Sequence, residues 1–307
     1  YYMITFNDFS KAYTITSLAV ADADSDGLPD EWEAFYGGYL NPKITDLTPG
    51  TAYVSGSTTT AAQAFAAGTN PVVDTVAPSV VLAVGTDRLV WLALNSGSGQ
   101  YTGTAADVVA TDNIGTPSVA VLHRLVSGSN PGVFDAVDTS APGLWHLEYT
   151  ATDGSGNAVT SIRVVAVGDV APGWRAMVWP PTLTINVLGS GDVYGQIYVD
   201  GATSAAGAAP NIQAWVGVST ANTDPSTWDA SAWNAAVFNA QSNANDEYKG
   251  TISGAGLNPG TPYYYAFRWQ IGAGAYTYGG IKADGSGAGP WDGTTNVNGV
   301  LTVQGAV

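Results

Sequence analysis

Leu257-Asn258-Pro259-Gly260-Thr261-Pro262-Tyr263-Tyr264-Tyr265-Ala266-Phe267-Arg268 reads as a tight turn running straight into a strand. Asn-Pro-Gly-Thr-Pro supplies fixed φ values, left-handed freedom and missing backbone donors, the ingredients of a turn. The aromatic run behind it suits a pleated, half-buried surface. With a period of two, Tyr263, Tyr265, Phe267 and Trp269 share one face, which is expected to be core. A tyrosine at such a corner is expected to bond its hydroxyl to nearby backbone.

The same alternation recurs along the chain. In residues 144–151 it places Trp145, Leu147, Tyr149 and Ala151 inward and Leu144, His146, Glu148 and Thr150 toward solvent. Further strands are expected near 79–84, 182–187, 193–199, 212–218 and 275–281, separated by Gly-, Ser- and Asn-rich turns such as 95–99 and 127–132. The best helix-forming stretch is Ala61–Ala67. Short linkers, Asp74-Thr75-Val76-Ala77-Pro78 and Val170-Ala171-Pro172-Gly173, divide the chain into 1–74, 75–170 and 171–307. The fold class is therefore mainly β, with sandwich modules in tandem behind a small N-terminal segment containing short helices.

Composition narrows the partners. The chain has 307 residues, of which only 11% are charged, with 25 acidic against 9 basic side chains and a net charge of −16. Nucleic acid and anionic membrane surfaces are recognised by clustered Lys and Arg, which this balance denies, so neither is an expected partner. There is no cysteine, which removes disulfides, thiolate metal sites and thiol nucleophiles together. No run of 18 apolar residues is present, so direct membrane insertion is not expected, and Tyr1 opens the sequence without a basic leader. A signal peptide is expected to have been removed or to lie outside this sequence.

The strongest motif is Asp22-Ala23-Asp24-Ser25-Asp26-Gly27-Leu28-Pro29-Asp30-Glu31-Trp32-Glu33. It matches the twelve-residue D-x-D-x-D-G loop closed by Glu. In that register Asp22, Asp24 and Asp26 offer side-chain oxygens, Gly27 makes the sharp turn, Leu28 gives a carbonyl, Asp30 takes the ninth position and Glu33 closes the site. All-oxygen donors call for a hard cation, Ca²⁺. The competing reading is an acidic, solvated turn that simply starts a helix, since Asp and Glu favour helix N-termini.

The loop resembles those of dockerins and, more closely, the thrombospondin type 3-like calcium repeats of bacterial secreted proteins. The likeness covers about residues 20 to 74 and includes the tail Ala67-Gly68-Thr69-Asn70-Pro71, but Ser57-Thr58-Thr59-Thr60 stands where a second acidic loop would lie. It implies one full calcium site. Ala110-Thr111-Asp112-Asn113-Ile114-Gly115 and Tyr149-Thr150-Ala151-Thr152-Asp153-Gly154-Ser155-Gly156-Asn157-Ala158 resemble bacterial Ig-like domains of the HYR type. Asp153 to Asn157 reads first as a hairpin turn and second as a further cation ligand set. The stretch at 257–268 resembles fibronectin type III domains at their E-to-F corner. These resemblances imply secreted or cell-surface, prokaryotic, non-catalytic modules.

Catalytic patterns are not legible. The two histidines, His123 and His146, stand near no G-x-S-x-G elbow or H-E-x-x-H pair. Asp246 and Glu247 are adjacent on a strand and so point to opposite faces, unlike a glycosidase pair. Two functional readings follow. One is a structural subunit of an extracellular filament or layer, joined to copies of itself or to neighbouring surface proteins. There Tyr1, Tyr2, Ile4 and Phe6 form a terminal strand without an obvious local partner, which would complete a neighbour's sheet. The other is a glycan-binding or adhesive accessory region of a secreted hydrolase or adhesin. It would present Trp228, Trp233 and Phe238 from a long polar connection to a polysaccharide or protein, unless those rings fold back and bury.

Overall fold

Strand pairing organises most of the chain in the computed structural model, which describes residues 2–7, 12–17, 21–40, 46–54, 56–71, 74 and 76–305. The chain is mainly β and forms two compact units. One comprises residues 1–81, 110–119 and 150–160, the other 82–109, 120–149 and 161–307.

In the first unit the opening strand Tyr2–Asn7 pairs antiparallel with Ala12–Ser17, Tyr2 opposite Ser17 and Asn7 opposite Ala12. This corrects the expectation of a strand without a local partner, because Ala12-Tyr13-Thr14-Ile15-Thr16-Ser17 is itself a β-branched strand sequence that closes a hairpin. Tyr1 lies outside the described residues. Two helices follow. Asp30–Leu40 carries Asp30, Glu31 and Glu33 in its first turn, where the positive end of the helix dipole favours acids. Ala61–Ala67 begins with a reciprocal cap, Thr60 accepting from the Gln63 amide while the Gln63 side chain accepts from the Thr60 amide. Leu28, Trp32, Leu47 and Ala61 form a small core between them, with Tyr36, Tyr53 and Phe65 packed against it. Trp32 meets Tyr36 and Phe65 edge-on, at ring separations of 4.9 and 5.3 Å. Among the described residues this cluster counts four buried side chains, and small cores are the regime in which folds lean on metals or other staples.

Two larger sheets lie mostly in the second unit. Leu89–Leu92, Ala158–Val167, Gly143–Thr152, Ser118–Gly128 and Gly132–Phe134 lie side by side in that order, with Leu89–Leu92 parallel to 164–167. The other runs Trp174–Trp179, Ser190–Tyr198, Asn245–Ser253, Trp233–Ser242, Ile212–Ser219, Tyr263–Ile271, Thr277–Ile281 and Ala288–Pro290, and Gly299–Gln304 pairs with both Tyr263–Ile271 and Thr182–Asn186. Trp233–Ser242 pairs Ile212–Ser219 along its first half and Asn245–Ser253 along its second. The register shift between Phe238 and Ala240 bends it from one layer to the next, as bulges do at sandwich corners. At Gly279 a Cβ would fall 2.7 Å from the Ala176 backbone, so only glycine lets Thr277–Ile281 approach Trp174–Trp179 this closely.

The predicted inward face of Tyr263–Ile271 is buried: Tyr263, Tyr265, Phe267 and Trp269 all belong to the main core. The Asn258 amide donates to the Tyr263 hydroxyl at 3.0 Å and the Tyr265 hydroxyl donates to the Pro180 carbonyl at 2.6 Å. That core continues through residue 170 without a break, joining Leu89, Leu144, Val164 and Ala166 to Met177, Ile197 and Ile271. Polar bonds reinforce the continuity. Asn211 Nδ2 donates to the Leu89 carbonyl at 2.7 Å, Trp91 Nε1 to the Gly168 carbonyl at 2.9 Å, and the Arg88 guanidinium to the carbonyls of Ala206 and Gly207. His146 therefore does not face solvent as its alternation predicts. Leu144, Trp145, His146 and Leu147 are all buried, because this end of the strand has a packed neighbour on both faces.

Candidate metal centre

The loop at 22–33 folds back on its own backbone. Asp22 accepts from the Asp26 amide at 3.1 Å and from the Gly27 amide at 3.0 Å, and Asp26 accepts from the Leu28 amide at 2.9 Å. Gly27 adopts φ 95°, a left-handed value that a side chain resists. Asp22, Asp24 and Asp26 each bring one carboxylate oxygen within 4.8 Å of the others. A second group with the same spacing joins Asp26 to Glu33 and Asp46, so five carboxylates are linked through Asp26. Asp46 lies beyond the twelve-residue loop, and its sequence neighbourhood carries no ligand spacing that would have found it. Leu28 anchors the loop with its side chain, only 1% exposed, in the head core. Asp30 turns to the loop backbone, where it accepts from the Ala23 amide at 2.8 Å, and it stands in neither carboxylate group.

Glu33 is the electrostatic centre. It is 2% exposed and accepts from the Leu47 amide at 2.7 Å. Burial is the largest influence on it, and with the nearby Asp26 and Asp46 it outweighs the Leu47 bond and pushes the carboxyl up to about 7. Local desolvation, with the nearby Asp26 and Asp46, also raises Asp24, although its side chain is exposed. Among the described residues no lysine, arginine or histidine forms an ion pair with any of the five. An all-oxygen, anionic set around a buried glutamate, with no basic partner among the described residues, fits a hard divalent ion.

The other predicted site residues behave differently. Trp228 and Trp233 are 9% and 8% exposed and pack with Ala266 in a satellite core. The connection before them folds into two short 3₁₀ turns, Pro225–Thr227 and Ala230–Ala232, and Trp233 opens a strand. These turns deliver the rings onto the sheet, where Arg268 stacks 4.3 Å from the Trp233 ring centre. Phe238 is half-buried and packs against Tyr248 at the margin of the main core. The three aromatics thus form no exposed platform. His123 accepts from the Gly103 amide at 3.2 Å, and burial lowers its proton affinity. His146 lies 3.2 Å from the Asp200 carbonyl. Both are core imidazoles with structural partners.

No family model and no curated protein matches the chain. Solved structures give weak likenesses. Ig1–Ig2 of Dpr2 in complex with DIP-Theta Ig1–Ig3 is similar at TM-score 0.24 and 11% identity over 75% of this chain, which spans 65% of that one. The fibronectin(III)-like modules of Clostridium thermocellum CbhA are similar at TM-score 0.24 and 10% identity, over 74% of this chain and 95% of that one. The tandem Ig repeats of Dlar give 0.19 and 13%, over 75% and 98%. The sandwich assignment for this chain rests on its own strand order and its two-faced burial.

Proposed function

We propose that the chain is a non-catalytic structural or adhesive region that works outside the cell, with a Ca²⁺ ion bracing its N-terminal head. One observation carries the reading: Glu33, buried and without a basic partner among the described residues, stands beside Asp26 and Asp46. Held apart by a doubly charged ion, these carboxylates would tie the loop, the start of helix Asp30–Leu40 and the segment at 46–47 into one cluster. Asp22, Asp24 and the Leu28 carbonyl would complete the oxygen shell. A ligand that binds the folded head alone stabilises it by mass action.

The three-module division 1–74, 75–170 and 171–307 belongs to this reading, as does a filament or layer built from copies of the chain. The hairpin at Tyr2–Asn7 lessens the need for a neighbour's strand, although each strand of a two-stranded ribbon keeps an edge for augmentation. The burial of Trp228 and Trp233 removes the basis on which polysaccharide binding was expected. Differential scanning calorimetry with Ca²⁺ and with a chelator tests the brace. A separate low-temperature transition that rises on adding Ca²⁺, and does not rise in Asp26→Asn, is expected; identical traces would overturn it. Negative-stain microscopy of the Ca²⁺-loaded chain tests assembly, for which ordered polymers are the expected image.

A further inference from the structure

Four neighbouring strands of the second unit, Trp233–Ser242, Ile212–Ser219, Tyr263–Ile271 and Thr277–Ile281, hold no aspartate or glutamate, and Arg268 is their only charged residue. The chain as a whole has 25 acids against 9 bases, so this face is electrostatically unlike the rest. Register sets its outer side chains in rows. Trp215 stands opposite Ala235 on one side and Arg268 on the other, and Arg268 stands opposite Tyr278. Two residues along, Gln213 lies opposite Gln270 and shares that face by the period of two. The intervening residues Ala214, Val216, Phe267 and Trp269 face the main core. The Arg268 guanidinium lies 3.9 Å from the Tyr276 ring centre, 4.3 Å from that of Trp233 and 5.2 Å from that of Trp215. Tyr276 is 40% exposed, Gln213 is exposed, and Trp215 and Arg268 are half-buried.

Ring contacts satisfy only part of such a cation. They attract the flat faces of a guanidinium, while its N–H groups radiate in the plane and call for oxygen acceptors. The Tyr278 hydroxyl meets Arg268 as a neutral partner. Among the described residues no carboxylate pairs with it, and its Nε is buried without a hydrogen-bond partner. Asp224, in the turn before Trp228, accepts from the Ser226 amide at 2.9 Å and makes no ion pair either. None of the described acids serves Arg268, which points to an anion supplied by a ligand. One cation holds one carboxylate, and a polyanion would be repelled by the net charge of −16, so the ligand carries an isolated acid on an otherwise neutral body. Sugar rings suit the surroundings. Their C–H faces pack on Trp and Tyr rings, and their hydroxyls both donate and accept, as the Gln213 carboxamide does. Gln270 Nε2 is held by the Gly274 carbonyl at 2.8 Å, which leaves its oxygen as an acceptor.

We propose that this face binds a glycan in which uronate residues occur singly among neutral sugars, with Arg268 pairing the uronate carboxylate and Trp215 and Tyr276 packing against a neighbouring ring. An arginine fork meets a carboxylate with two parallel bonds, which fixes orientation as well as adding affinity. The set differs from Trp228, Trp233 and Phe238, of which Trp233 alone takes part, as a ring stacked on the guanidinium. The site names a ligand for the adhesive reading above and shares no residue with the head loop, so the calcium brace and this site can fail separately.

Calorimetric titration of the full chain with xylan oligosaccharides bearing one glucuronate branch, and with the same oligosaccharides after reduction of the carboxyl to an alcohol, tests the assignment without changing the protein. The acid form is expected to bind at least about 10-fold more tightly. Equal affinity, or no binding of either form, would overturn the proposal. Arg268→Lys keeps the charge and loses the two-pronged geometry, and Tyr276→Ala removes only the exposed ring. Each is expected to weaken binding of the acid form by about 10-fold, and unchanged affinity in both would overturn it equally. A neutral peptide carrying one glutamate is the protein counterpart. It is expected not to bind, and affinity equal to that of the glycan would assign the face to a protein carboxylate and sink the glycan.

Discussion

The Glu33 carboxylate accepts the Leu47 amide proton at 2.7 Å within the head core, a buried glutamate whose titratable neighbours among the described residues are Asp26 and Asp46. Without an ion its folded-state proton affinity is raised, to a pKa of about 7 from an ordinary 4.5. The folded chain then binds more protons than the unfolded chain between those values, so stability falls as pH rises through the window and levels off above it. In chelator the head is expected to be about 3 kcal/mol less stable at pH 7.5 than at pH 4.5. Hydrogen exchange of helix Asp30–Leu40 would measure it, and Glu33→Gln is expected to flatten the profile. With Ca²⁺ present the trend reverses, since the ion needs the ionised carboxylate and its uptake weakens as pH drops below about 7.

Gly27 holds φ 95° at the point where the loop doubles back and its amide caps Asp22. Open space surrounds the position where a Cβ would stand, so Gly27→Ala meets only backbone strain. A cost of about 1 kcal/mol to the head is expected, with weaker Ca²⁺ uptake in proportion, read by calorimetric titration.

Within the main core, the Tyr265 hydroxyl donates to the Pro180 carbonyl at 2.6 Å across a chain separation of 85 residues. Tyr265 is fully buried, and burial raises its proton affinity, so it remains a donor at any ordinary pH. Tyr265→Phe keeps the ring and strands the carbonyl. Urea denaturation is expected to show a loss of about 1 to 2 kcal/mol at unchanged m-value.

How far these features were legible in sequence depends on how local their causes are. The faces of Tyr263–Ile271 and the helix Ala61–Ala67 could be read because period and helix propensity act within a few residues. His146 could not be placed, since the alternation of one strand does not reveal that a second packed surface covers its other face. Trp228 and Trp233 read as a loop because Pro-, Ser- and Asp-rich 3₁₀ turns have the composition of a linker while steering rings inward. The loop at 22–33 announced its own acids. Asp46 required the chain to close over a distance that no spacing rule covers.

Asp107 offers the sharpest test of how the second unit is held. Its Oδ2 accepts the Tyr149 hydroxyl at 2.6 Å and the Thr104 amide at 3.1 Å, and pairs with Arg163 Nη1 at 3.2 Å. Arg163 also reaches the Asp87 carbonyl and the Tyr101 hydroxyl, each at 2.9 Å. Tyr149 is fully buried, and burial and then the Asp107 bond raise its proton affinity, so its hydroxyl proton stays on. Asp107→Asn would leave a buried guanidinium without its anion, and breaking such a pair costs about 3 to 5 kcal/mol, whereas Tyr149→Phe removes one bond for about 1 to 2 kcal/mol. A double-mutant cycle on Asp107 and Tyr149, read by urea denaturation, is expected to give a coupling of about 1 kcal/mol or more. Additive losses would mean that the two side chains hold the strands independently, with the aspartate acting through Arg163 alone.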